Sequence, residues 1–231
     1  MGLTLNDIVH TASVWVLPVL FAVTLHEAAH GFIAWRLGDP TAYRAGRVTF
    51  NPLRHVDPFG TVILPAMLLL ASGGKFMFGF AKPVPVNFRA LGHPRRDMVL
   101  VALAGPGTNI LLAVVSALLL HTIQYMPPAF AQWSATNFVN SMWINIVLAL
   151  FNMIPLPPLD GGRVAVGVLP QPFSSKLAGL ERSGFLILLA ILFVLPWLGR
   201  QIGVNLDILP WVIGEPARAL MSAIASVTGV Q

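Results

Sequence analysis

Hydrophobic positions run in long blocks along this chain, without the strict alternation of a half-buried strand or the narrow stripe of a surface helix. The first block covers residues 8–37 and is long enough to cross a bilayer at ~1.5 Å per residue. A polar, basic stretch follows over 38–60. Within it Arg47-Val48-Thr49-Phe50 predicts a short strand, and Asn51-Pro52 and Asp57-Pro58-Phe59-Gly60 predict turns. The apolar run 61–72 is short for a straight span and suits a re-entrant element. Pro83 and Pro85 forbid a regular helix in the segment after it and favour extended chain. A second span covers 97–121, opening with a break at Ala104-Gly105-Pro106-Gly107-Thr108-Asn109, and a loop is expected over 124–136. The third block, 138–169, is too long to be uniform and is interrupted by Pro155-Leu156-Pro157-Pro158-Leu159-Asp160-Gly161-Gly162. A fourth span runs over 184–198. Residues 208–227 form a fifth or lie along the interface, because Glu215, Pro216 and Arg218 fall in their middle. The pattern predicts an all-α polytopic membrane protein with about five to six transmembrane helices and a short re-entrant or β-like segment around 75–88. It reads as one domain, 1–231, with a core over about 8–170 and C-terminal helices over about 183–228.

Composition strengthens this picture. Of 231 residues, 56% are hydrophobic and 10% charged, against about 45 to 50% and about 25% in soluble domains. The net charge of +5 does not point to nucleic acid, because the basic residues sit in short loops between apolar blocks. Arg36, Arg44, Arg47, Arg54, Lys82, Arg89, Arg95, Arg96, Lys176 and Arg182 all fall on one side of the span count. The positive-inside bias makes that side cytoplasmic and puts the N-terminus outside. No Lys or Arg precedes the first block, so it lacks the basic region of a cleavable signal peptide and is read as a retained span. The chain has no cysteine, which excludes thiolate ligands and thiol nucleophiles and leaves His, Asp and Glu to hold any metal.

The first block contains His26-Glu27-Ala28-Ala29-His30. Residues four apart share a helix face with Cβ atoms about 6 Å apart, so both imidazoles can meet one metal. Glu27 points about 100° away around the helix, free of the metal and placed to act as a general base. A chance match would leave these three groups in lipid at several kcal/mol. A catalytic zinc keeps three protein ligands and one open position, so a third ligand is owed. The other acidic and imidazole side chains lie in loops, span ends or the doubtful last segment, which leaves Asp160 in the Pro-rich break of the third block. His55 and Asp57 sit in a turn and read as structural.

His26-Glu27-Ala28-Ala29-His30, the Asn152 to Arg163 stretch with Asp160-Gly161-Gly162, and Ala104 to Asn109 resemble the hallmarks of the site-2 protease family of intramembrane zinc metalloproteases. The stretch Asn51-Pro52-Leu53-Arg54-His55-Val56-Asp57-Pro58-Phe59-Gly60-Thr61 is similar to the compact prokaryotic branch, and no PDZ-like insertion is visible. The resemblance covers residues 20–170. It implies Zn2+ on His26, His30 and Asp160, Glu27 as catalytic base, and cleavage of a transmembrane protein or peptide substrate within or beside its membrane helix. It also implies that Asn109 and Asn152 face the cleft and bind substrate. The residues alone allow these asparagines instead to bridge helices. Two other classes fit less well: a divalent-metal transporter, which would carry repeats and acidic residues along a path, and an inactive scaffold of the same fold, which intact Glu27 opposes.

Overall fold

A computed structural model of the chain describes residues 4–63, 67, 79 and 81–230. Its main elements are helices α1 (Leu5–Arg36), α2 (Thr41–Arg44), α3 (Pro94–Leu120), α4 (Pro128–Asn152), α5 (Asp160–Val168), α6 (Phe173–Ala178), α7 (Glu181–Gln201) and α8 (Glu215–Thr228). No strand occurs among the described residues. Among the described residues four helices are long and apolar enough to cross a membrane: Val9–Arg36, Pro94–Leu120, Phe130–Asn152 and Glu181–Gln201. The chain is an all-α polytopic membrane protein. The run expected to be re-entrant, 61–72, and the residues opening the 75–88 segment lie mostly outside the described residues.

Local chemistry sets the helix ends. At α1 the Thr4 hydroxyl accepts from the Asp7 N–H at 3.2 Å while the Asp7 carboxylate accepts from the Thr4 N–H at 3.0 Å, a reciprocal cap. The Thr4 hydrogen bonds hold the exposed Asp7 carboxyl below its ordinary range. The loop expected over 124–136 is helical from Pro128, because a proline at the first helical position gives up an N–H that has no partner there anyway. The break expected at 104–109 is also absent. Pro106 lies inside an uninterrupted α3, since a full break at membrane depth would orphan more backbone groups than the single bond a proline removes. Residues 208–227 become a π-helical turn, Pro210–Gly214, leading directly into α8.

The helices α1, α3 and α4 pack against one another, and α5 packs on α3. Small residues permit the approach: Ala113 and Ala117 of α3 and Ala217 of α8 form one buried cluster with the larger Met142 and Ile146 of α4 and Ile224 of α8. Polar ties reinforce it. The Trp133 indole N–H donates to Ser13 Oγ at 3.0 Å, and Asn140 Nδ2 donates to the Val14 carbonyl at 3.0 Å. Arg95 donates from Nε to the Gly167 carbonyl at 2.8 Å and from Nη2 to the Leu169 carbonyl, closing the C-terminal end of α5.

Residues 47–50 are irregular chain, not the short strand the sequence predicts. Their polar groups serve a different chain segment: Arg47 Nη2 donates to the Lys82 and Pro83 carbonyls. The Lys82 N–H donates to the His55 carbonyl at 2.9 Å, and the Asn87 N–H donates to buried Asp39 at 2.6 Å. Residues 81–87 are thus irregular chain pinned along the end of the bundle, consistent with prolines that cannot complete a ladder. His55 Nε2 meets the Thr49 carbonyl at 3.1 Å, and burial holds this imidazole below its ordinary pKa. Asp57 Oδ1 accepts from the Phe59 and Gly60 N–H groups at 3.0 and 2.7 Å. Asp57 thus caps its own turn, while His55 uses Nε2 on the Thr49 carbonyl and keeps Nδ1 buried without a hydrogen-bond partner among the described residues.

Candidate metal centre

α1 carries His26 and His30 on one face, with Nε2 atoms 3.0 Å apart. Asp160, the first residue of α5, brings Oδ2 to 3.2 Å from each Nε2. All three side chains are buried. Among the described residues this is the one group of three or more His, Asp or Glu whose ligand atoms converge, all within 4.8 Å.

The outer nitrogens decide what the inner ones can do. His30 Nδ1 lies 2.7 Å from the Val101 carbonyl oxygen, which can only accept, so Nδ1 carries the proton and donates. His26 Nδ1 lies 2.5 Å from Asn109 Oδ1 and donates likewise. Both Nε2 atoms therefore present lone pairs inward. Asp160 Oδ2 is buried and accepts no hydrogen bond. Three lone-pair donors at 3.0 to 3.2 Å with no proton among them repel one another unless a cation sits between them. Their spacing is close to the edge of a tetrahedron with ligands at ~2.0 Å, about 3.3 Å. The donor set fits zinc, with neutral imidazoles fixed by outer partners as zinc-binding histidines require.

The backbone is shaped to this geometry. A Cβ on Gly105 would lie 2.4 Å from His30 Nε2 and 2.5 Å from His26 Cε1, so only glycine lets α3 pass this close. On Gly161 a Cβ would lie 2.2 Å from the Met153 carbonyl oxygen, and on Gly162 2.2 Å from Pro157 N. The Pro-rich chain 153–159 thus folds tightly over the start of α5 and aims Asp160 at α1. Gly105→Ala should lower zinc retention by about tenfold or more, the scale of disturbing a ligand's immediate support; metal analysis after dialysis against a chelator checks this.

Glu27 stands outside the converging set, one residue round the helix, half-buried, with Oε2 accepting from the Val84 N–H at 2.8 Å. Asn109 is fully buried, and its amide N–H groups donate to the Ala22 carbonyl at 3.2 Å and to Asn145 Oδ1 at 2.7 Å. Asn152 is partly buried near the end of α4, and its Nδ2 donates to the Leu148 carbonyl at 3.0 Å. It makes no hydrogen bond to His26, His30 or Asp160. Sequence reasoning passed over Asn145, Val84 and Val101. Asn145 left a signal, an amide one turn beyond Ser141 in an apolar helix. Val84 and Val101 act through their backbones and left none.

This helical membrane protein buries a His-His-Asp set that could hold a metal ion. The chain belongs to peptidase family M50, the site-2 protease family. The family's sequence profile matches residues 122–195. The relatives include three proteins each named "Putative zinc metalloprotease". YwhC of Bacillus subtilis is 41% identical over 78% of this chain and 80% of its own length. Rip2 of Mycolicibacterium smegmatis is 34% identical over 78% of this chain and 66% of its own length. MJ0611 of Methanocaldococcus jannaschii is 35% identical over 70% of this chain and 72% of its own length. No solved structure matches the chain. The chain is a metalloprotease.

Proposed function

We propose that this metalloprotease is an intramembrane zinc endopeptidase, hydrolysing a peptide bond within or beside a substrate's transmembrane segment, with Glu27 as general base and His26, His30 and Asp160 as zinc ligands. The observation that carries the reading is the convergence of two imidazole lone pairs and an unpartnered carboxylate oxygen inside an apolar helix bundle, at 3.0 to 3.2 Å. Zinc held there supplies Lewis acidity, making water a nucleophile at neutral pH and polarising the scissile carbonyl. Glu27 takes the proton from the attacking water and returns it to the leaving amine. The Val84 N–H bond steadies one carboxylate oxygen and leaves the other for that exchange. A substrate helix hides its peptide bonds in its own hydrogen bonds and must unwind locally. An apolar cavity of about 410 Å³ between α1 and α4, lined by Val23, Thr24, Val147, Leu148 and Phe151 among others, lies one helical turn from Glu27. It suits an apolar segment, and Asn152, the residue after Phe151, is proposed to bind the unwound backbone.

The test uses purified protein in detergent with single-span substrates. Cleavage mapped by mass spectrometry should fall in or next to the membrane segment, stop with a zinc chelator and resume on adding zinc. Cuts confined to water-exposed loops would overturn the intramembrane reading.

The proposal extends to sidedness. The end of α1 meets the chain just before α3, with the Gly92 N–H donating to the Leu37 carbonyl at 3.0 Å, and the basic residues gather at that end. We place it in the cytoplasm, with His30 and His26 roughly 9 and 15 Å of helix above Arg36. Single cysteines introduced near Arg44 and Arg95 should react only from the cytoplasm, and near Ala131 only from outside; the opposite pattern would invert the orientation.

A further inference from the structure

Val101 and Asn109 hold the outer nitrogens of the two histidines in different ways. The Val101 carbonyl is backbone and can only accept, so the proton on His30 Nδ1 is settled. Asn109 is an amide, and rotated half a turn it would offer N–H to His26 Nδ1 and leave the proton on Nε2, where it blocks a metal. What fixes the amide lies further out. Asn109 Nδ2 faces the Ala22 carbonyl at 3.2 Å and Asn145 Oδ1 at 2.7 Å. Asn145 has its own orientation fixed, because its Nδ2 lies 2.8 Å from the Ser141 carbonyl and 3.3 Å from Ser141 Oγ. A carbonyl cannot donate, so Asn145 must present oxygen to Asn109, and Asn109 must present oxygen to His26. Asn109 is 0% exposed and Asn145 1% exposed, so water cannot stand in for a missing partner.

We propose that Asn145 is a positioning residue for the metal centre: without touching His26, it selects through Asn109 the His26 tautomer whose Nε2 is free to bind zinc. Direction passes from the Ser141 carbonyl to Asn145, to Asn109, to His26, crossing from α4 through α3 to α1. His30, held by backbone, is independent of it. The inference rests on the zinc reading of His26, His30 and Asp160.

Asn145→Leu removes the nearer of the two acceptors that face Asn109 Nδ2 and leaves the Ala22 carbonyl, at 3.2 Å, as the one remaining hold on that amide's direction. Zinc affinity, measured by competition with a chromophoric chelator, should fall about tenfold to a hundredfold, the usual effect of losing support beyond the ligands. In zinc-free protein labelled with 15N-histidine, the His26 ring should move toward the Nε2–H form while His30 keeps its signal. Asn145→Asp, which keeps an oxygen toward Asn109, should retain most of the affinity. A carboxylate at position 109 can accept from His26 in either orientation, so Asn145→Leu added to Asn109→Asp should cost threefold or less. Asn145→Ser is measured the same way if Asn145→Leu does not fold. Affinity within twofold of wild type for Asn145→Leu or Asn145→Ser, or an equal loss in the Asn109→Asp background, would overturn the proposal, because a merely structural asparagine gives no such dependence on position 109. Wild-type protein that bound no zinc would overturn the ligand reading itself.

Discussion

Purified Asp160→Ala protein should come through dialysis with almost no zinc, whereas wild type should carry about one ion per chain, the stoichiometry of a single catalytic centre. If the ~10 to 16 kcal/mol of a four-ligand zinc site is shared among its ligands, each is worth about 3 kcal/mol, or about a hundredfold in affinity. His26→Ala and His30→Ala should lose zinc to a similar degree. Folding should survive Asp160→Ala best of the three, because Asp160 Oδ2 makes no hydrogen bond that the bundle needs, while each histidine also ties α1 to α3 through Nδ1. In zinc-free buffer this variant should melt at or above the wild-type temperature, since it removes a buried carboxylate oxygen facing two lone pairs. Stoichiometric zinc in Asp160→Ala would mean that a different side chain completes the site.

The helices were legible because membrane burial demands long apolar blocks, and the converging His26, His30 and Asp160 side chains because a buried carboxylate or imidazole in such a block needs a reason. His26 and His30 advertise themselves by their spacing of four. Asp160 does so by standing at membrane depth in a break that proline enforces. What stayed hidden depends on packing. The continuity of α3 through Gly105-Pro106-Gly107 could not be read, because the same three residues signal a break in water and close helix contact in a bundle. The strand expected at residues 47–50 failed for a related reason: strand propensity is realised only when a partner edge is present, and Arg47 instead binds the carbonyls of residues 82 and 83. Asn109 was legible as a polar residue near the site but not in its direction. Which of its two ends faces His26 is decided by Ala22 and Asn145, 87 and 36 residues away in sequence.

Glu27→Gln should abolish turnover while leaving zinc and fold in place. The substitution is nearly isosteric, and its side-chain oxygen can still accept from the Val84 N–H, the one hydrogen bond Glu27 makes among the described residues. The amide cannot accept a proton at any working pH, so it removes the base and little else. General acid–base catalysis contributes about 10² to 10⁴ in rate, and a base that also protonates the leaving amine should lie at the upper end. Zinc content should stay near wild type because Glu27 is not among the atoms that converge with His26, His30 and Asp160. Glu27→Asp separates chemistry from charge. It keeps a carboxylate but withdraws it by one methylene, about 1.5 Å, so it should lose the Val84 contact and retain a small fraction of the wild-type rate, above that of Glu27→Gln. Cleavage rates, zinc content and melting temperature measured on the same preparations decide the matter. Glu27→Gln with wild-type turnover would dismiss Glu27 as the base, and Glu27→Gln with lost zinc would place it among the ligands. Equal inactivity of Glu27→Asp and Glu27→Gln, with zinc intact in both, would mean that the position of the carboxylate matters as much as its basicity, and would identify the Val84 N–H as the group that sets that position.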